Sequence, residues 1–123
     1  MLGDTLTVTV GGSGGSANVA SKIQESGYSS EYLKKNTGDE IRVRVRHIRE
    51  NARAGTTALD RHQVIFTQFV YPTEAKPLGI TREVQFILRN DPTDVVTDVT
   101  NIGEALAFWL TASNLDKLFG WES

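Results

Sequence analysis

A chain of 123 residues with 39% apolar content is one domain of ordinary size, able to form a core but too small to cover all of its apolar surface unless a second copy helps. The net charge of −2 and isoelectric point near 5.6 exclude a protein that is basic overall, yet Arg42, Arg44, Arg46, Arg49 and Arg53 are five of only 13 Lys and Arg residues, so positive charge is gathered in one stretch. The absence of cysteine removes disulfides, thiolate nucleophiles and cysteine-based metal sites. With neither a cationic, apolar leader after Met1-Leu2-Gly3-Asp4 nor an apolar run of membrane-spanning length, the expectation is a soluble protein that works where it is made.

Residues 5–10 alternate threonine with leucine or valine, and Gly11-Gly12-Ser13-Gly14-Gly15-Ser16 reverses the chain, which predicts a β-hairpin with its second strand near residues 17–20. The glycine run lacks the Gly-Lys-Ser/Thr ending that would set a lysine and a hydroxyl on phosphate and metal, so a hairpin is preferred to a phosphate loop. Residues 30–35 form a short strand candidate around Tyr32 and Leu33, and Asn36-Thr37-Gly38-Asp39 is turn chemistry. Residues 40–49 alternate apolar and basic side chains with period two, so one strand sends Val43 and Val45 to a core and Arg42, Arg44 and Arg46 to the opposite face. A row of planar, permanently charged guanidinium groups matches phosphate oxygens and base edges, and so points to nucleic acid. An exposed strand kept soluble by its charge fits the same pattern.

After a polar link over 51–57, residues 61–71 form a long β-branched and aromatic run. Residues 73–79, held between Pro72 and Gly79 and containing Pro77, break it as a loop. Residues 81–89 resume a strand with Val84, Phe86 and Leu88 on one face, and Asp91-Pro92 ends it. The period then changes. Val95, Val99, Ile102, Leu106 and Trp109 recur at helical spacing, and Asn101 with Glu104 resembles a capping box, which predicts a helix over 101–112 with Trp109 in its apolar stripe. A second, shorter helix follows, with Ser113 as its cap, Leu115, Leu118 and Phe119 as its stripe and Gly120 at its end; Trp121 is a candidate for packing against a neighbouring subunit. Strands followed by helices make an α+β domain with an antiparallel sheet and helices gathered on one side.

No catalytic constellation is present. His47 and His62 lack a further ligand at a metal-type spacing and read as strand residues with ordinary hydrogen bonds, and no serine occupies Gly-x-Ser-x-Gly. Asp91, Asp94 and Asp98 lack the order of a calcium loop and read as solvated turn residues, although carboxylates crowded at a subunit contact could recruit calcium.

The order of elements and a set of collinear motifs resemble the coat proteins of the single-stranded RNA bacteriophages, the leviviruses, most of all their Caulobacter-infecting branch. The residues that carry the resemblance are Leu2-Gly3-Asp4-Thr5-Leu6-Thr7 with Gly11-Gly12-Ser13-Gly14-Gly15, Ser30-Glu31-Tyr32, Val45-Arg46-His47, Arg61-His62, Phe66-Thr67, Val70-Tyr71, Gly103-Glu104-Ala105-Leu106 and Gly120-Trp121-Glu122-Ser123. The resemblance spans the chain as a single domain, 1–123. It implies an N-terminal hairpin, a five-stranded antiparallel sheet and two C-terminal helices, in an interlocked homodimer with a continuous ten-stranded sheet. It further implies a structural protein rather than an enzyme. Its dimers assemble in the bacterial cytoplasm into the icosahedral capsid of a virion, with no membrane involved, and the open sheet face packages single-stranded genomic RNA and represses replicase translation by binding an RNA hairpin. On that face Arg42, Arg44 and Arg46 match the first RNA-facing strand, Gln63 and Thr67 the second, and Glu83 and Gln85 the third, with Tyr71 a candidate for base stacking. Ile65 and Phe69 share the parity of Gln63 and Thr67, so the facing of that strand is open at this point. A dimeric, non-viral RNA-binding regulator that forms no shell fits the same RNA-facing pattern.

Overall fold

The computed structural model describes residues 3–52 and 55–122; Arg53, Leu2 and Ser123, which figure in the sequence reading, lie outside the described residues. Six antiparallel strands are followed by two helices: β1 (Thr5–Val10), β2 (Ser16–Ser26), β3 (Ser29–Lys35), β4 (Asp39–Arg49), β5 (Asp60–Val70), β6 (Ile80–Asn90), α1 (Val96–Trp109) and α2 (Ala112–Phe119). The strands form one sheet in chain order, a meander in which each strand pairs with the next. The predicted hairpin is therefore not separate from the sheet. β2 runs 11 residues rather than the expected four, pairing with β1 through its first half and with β3 through its second, and a register shift between Lys22 and Gln24 marks where it changes partner. One bent strand thus belongs to both the hairpin and the main sheet, so the sheet has six strands where five plus a hairpin were expected.

Curling brings the first strand back over the later ones. Val8 and Val10 share a concavity of about 280 Å³ with Ile41, Phe66 and Val84. Beneath β1, the core consists of Val8, Ala20, Tyr32, Ile41, Val43 and Val45, with Leu6 and Val64 packed against it. Tyr32 is fully buried, and its hydroxyl donates to the Gly3 carbonyl at 2.8 Å, which satisfies the one polar atom it carries inward and ties down the start of the chain. Two glycines are needed where the chain reverses. A Cβ on Gly15 would lie 2.0 Å from the Val10 carbonyl oxygen, and Gly79 has φ +74 with a would-be Cβ 2.6 Å from the Val70 oxygen.

Both helices differ from expectation at their starts. α1 begins at Val96 rather than Asn101, because Asp91 and Asp94 close the preceding turn: Asp91 accepts from Thr93 N and Oγ1, and Asp94 accepts from Val95 N. Asn101 and Glu104 therefore lie inside the helix, not at a cap. α2 is capped by Thr111, whose Oγ1 accepts from Asn114 N, rather than by Ser113, which falls within its first turn. Gly120 does end α2, but with negative φ, and the left-handed residue is Trp121 at φ 65. Neither helix buries a residue: Leu106, Phe108, Trp109, Leu118 and Phe119 are all exposed, so Trp109 is not a core residue within one chain.

Candidate nucleic-acid interface

The sheet register decides which side chains share the face opposite the core. Arg42 stands between Leu33 and Thr67, Arg44 between Glu31 and Ile65, and Arg46 between Ser29 and Gln63; Thr67 and Ile65 in turn face Glu83 and Gln85 on β6. All seven strand residues expected on the first, second and third RNA-facing strands are thus on one face. The open question about β5 is settled by its parity: Gln63, Ile65, Thr67 and Phe69 are on the arginine face together. Ile65 is nevertheless buried there, while Phe66 on the apolar side is 39% exposed, so the apolar face is the less covered one at β5.

Hydrogen bonds join these residues into two groups. Gln63 Nε2 donates to Gln85 Oε1 at 2.9 Å, and Gln85 Nε2 reaches Glu83 Oε2 at 3.4 Å, which makes a polar band across β5 and β6. Tyr71, just past β5, donates from its hydroxyl to Glu40 Oε2 at 3.3 Å and meets Phe69 edge-on with ring centroids 6.0 Å apart. Desolvation, followed by the nearby Glu40 carboxylate, raises the Tyr71 phenol above its ordinary value, so it stays protonated and can donate.

The charge along the arginine row is not uniform. Glu31 forms an ion pair with Arg42 Nη1 and lies 3.7 Å from Arg44 Nε, so one carboxylate is shared between two guanidinium groups. The Arg46 side chain has no ion pair or hydrogen bond among the described residues. Arg61 and Arg89 extend the face beyond it, since Arg61 pairs with Ile48 on one side and Arg89 on the other. Arg89 donates to Glu50 at 2.9 Å, but among the described residues Arg61 has no ion pair and its buried Nε has no hydrogen-bond partner. Between Arg46 and Arg61 is a concavity of about 270 Å³ that is also lined by Ser29 and Gln63. The unpaired cationic charge of the face is therefore at the Arg46–Arg61 end, with Glu31, Glu40 and Glu83 at the Arg42 end. Arg61 and Arg89 were not among the residues expected on this face although counting by twos from Gln63 and from Gln85 reaches both; Glu31 was not expected there because its partner becomes visible only once β3 and β4 are in register.

Among the described residues no group of three or more histidine, cysteine or acidic side chains could hold a metal ion, and no helix is long and apolar enough to cross a membrane.

A family model described as the phage phiCb5 coat protein matches residues 3–91. Among solved structures, a bacteriophage EMS014 coat protein is similar with a TM-score of 0.69 at 12% identity, over 87% of this chain and 72% of that one, which shows the shared fold. No curated protein matches.

Proposed function

This chain belongs to the phage phiCb5 coat protein family, and from that premise we propose that it dimerises, assembles into an icosahedral capsid and packages single-stranded RNA against its arginine face. The observation that carries this reading is the division of the sheet into two unlike sides. One displays Arg42, Arg44, Arg46 and Arg61 above a polar band; the other leaves Phe66 and Val84 exposed, and the two helices after the sheet bury no residue.

A second copy supplies that cover in this reading. β6 pairs only with β5 among the described strands, so an edge of 11 residues is open to the same strand of a partner, and joining two such edges gives a continuous sheet of twice the width. Covering a large apolar side chain is worth about 1.5–3 kcal/mol, so Leu106, Phe108, Trp109, Leu118 and Phe119 together supply on the order of 10 kcal/mol. That is comparable to the roughly 4–15 kcal/mol that association costs, so most of the stripe must be covered for a lasting dimer. Helices that reach across to the partner's sheet achieve this. The loop over residues 73–79, closed by reciprocal backbone hydrogen bonds between Thr73 and Lys76 and carrying Leu78 at 91% exposure, is the contact element around the shell's symmetry axes.

Many arginine faces held in one shell give RNA binding its avidity, and the same face on a free dimer binds an RNA hairpin to repress translation. Assembly takes place in the host cytoplasm and the product is the virion. Calcium bridging acidic residues of neighbouring copies belongs to the same proposal and is tested by comparing particle melting with calcium and with chelator. The decisive experiment is electron microscopy and sedimentation of the purified protein with RNA. Closed shells built from dimers are expected, and a folded monomer that forms neither dimer nor particle overturns the proposal.

A further inference from the structure

At the far end of the apolar side, away from the arginine row, two histidines face each other across β4 and β5. His47 and His62 are register partners, and their Nδ1 atoms are 2.8 Å apart. They line a concavity of about 630 Å³ together with Tyr28, Arg49 and Asp60. We propose that this pair is a binding site for a divalent transition-metal ion of the imidazole-preferring class, such as zinc, with water completing its coordination.

The argument begins with the tautomers. Asn90 Nδ2 donates to the Asp91 carbonyl, which leaves Asn90 Oδ1 as an acceptor for His62 Nε2 at 2.9 Å. His62 therefore carries its proton on Nε2 and turns the lone pair of Nδ1 toward His47. This is the arrangement a metal-ligating histidine needs, with one nitrogen held by an outer acceptor and the other free to coordinate. In the metal-free protein His47 supplies the shared proton from its own Nδ1. On binding, that proton moves to His47 Nε2, and two Nδ1 lone pairs converge on one point with no net proton release.

Zinc–nitrogen bonds of about 2.0–2.1 Å in a tetrahedron put two ligand nitrogens about 3.3 Å apart, so the pair must open by about 0.5 Å and the rings must turn so that both lone pairs point to one side of the Nδ1–Nδ1 line. His47 is exposed, which leaves its ring room for both movements. Arg49 is the nearby charge that opposes a cation, and Asp60 offsets it: Arg49 Nε donates to Asp60 Oδ1 at 2.8 Å. Asp91, whose charge acts on Asp60, adds a second carboxylate to the surroundings. Two protein ligands make an open site, unlike the closed four-ligand sites that hold structural zinc, and imidazole ligands discriminate against calcium and magnesium.

The test is calorimetric titration of chelator-treated, dimeric or assembled protein with zinc chloride at pH 7.5, paired with nitrogen NMR of ¹⁵N-histidine-labelled protein. One ion per chain is expected at this site, with the Nδ1 resonances of both histidines moving while His62 Nε2 stays protonated, and with calcium leaving those resonances where they are. Asn90→Ala is expected to weaken zinc about tenfold by releasing the outer acceptor, and His47→Gln with His62→Gln to abolish the site. Absence of saturable uptake by folded wild-type protein overturns the proposal, as does uptake unchanged in the double variant, which would put the ion on carboxylates. If the double variant fails to fold, unmoved Nδ1 resonances in the wild type overturn it equally.

Discussion

Removing Arg46 should affect RNA binding differently from removing Arg42, although both are arginines on the same strand and the same face. Arg42 is ion-paired with Glu31, whose side chain is only 16% exposed, so Arg42→Ala removes a cation and leaves its acidic partner behind. Arg46 has no such partner and flanks the concavity it shares with Arg61. Each phosphate contact on single-stranded RNA contributes about 0.7 to the slope of log affinity against log salt, which over a fourfold rise from about 50 to about 200 mM amounts to about a 2.6-fold loss of affinity. Arg46→Ala should therefore bind more weakly at low salt and lose about 2.6-fold less than the wild type across that range. Arg42→Ala should bind more weakly with little change of slope. Glu31→Gln makes the converse prediction: freeing Arg42 and Arg44 for phosphates should strengthen low-salt binding and steepen the slope by up to about 1.4, two contacts' worth. Filter binding over a salt series, with sedimentation to verify that each variant is still assembled as the wild type is, reads all three. Slopes that fall equally for the two arginine variants, or a Glu31→Gln protein indistinguishable from the wild type, would refute the view that Glu31 divides the row.

Val84→Asp places a charge on the uncovered apolar side near the open edge of β6 and should shift sedimentation toward monomer while the circular dichroism of a single chain is kept; an intact dimer would argue that this side is not the interface. Gly79→Ala forces a Cβ into the Val70 carbonyl at positive φ and should lower stability by about 1–3 kcal/mol in denaturant melts. Shortening the loop by residues 76–78 should instead change particle size or yield at unchanged dimer stability, seen by microscopy and melting of the unassembled dimer. The hydrogen bond from Arg49, then its charge, lowers the Asp60 carboxyl below its ordinary value. A depressed folded value means stability that is present above the ordinary carboxylate range and lost as pH falls through the folded value, so Asp60→Asn should flatten the acid limb of the melting profile and leave its neutral-to-alkaline shape alone.

Much of the fold could be read from periodicity, because strands with one buried face announce themselves by alternation. β4 shows this most clearly: Ile41, Val43 and Val45 are buried and Arg42, Arg44 and Arg46 are not. β2 could not be read so far along, since beyond Ala20 its side chains pass a bulge and lose strict alternation, and its length is set by pairing with β3 rather than by its own pattern. α1 was legible as a helix but not at its start. The apolar stripe already included Val95 and Val99, and the capping-box match at Asn101 outweighed them until Asp94 proved to accept from Val95 N. A two-residue motif carries less information than five residues in phase.

The candidate interface was legible to the extent that a face is a matter of parity, and hidden to the extent that charge is a matter of pairing. Counting by twos places Arg42, Arg44 and Arg46 together, and across the register it brings Gln63, Thr67, Glu83 and Gln85 beside them. It cannot say that Glu31 is opposite Arg44 rather than Arg46, because that depends on how many residues the turn between β3 and β4 consumes. A one-residue change there would carry Glu31 to the other face and free two arginines at once. The strength and direction of the field over this face are therefore fixed as much by the turn around Thr37 and Gly38 as by the arginine strand, and Asn36 N donating to the Asp39 carbonyl at 2.8 Å is a hydrogen bond that closes that turn.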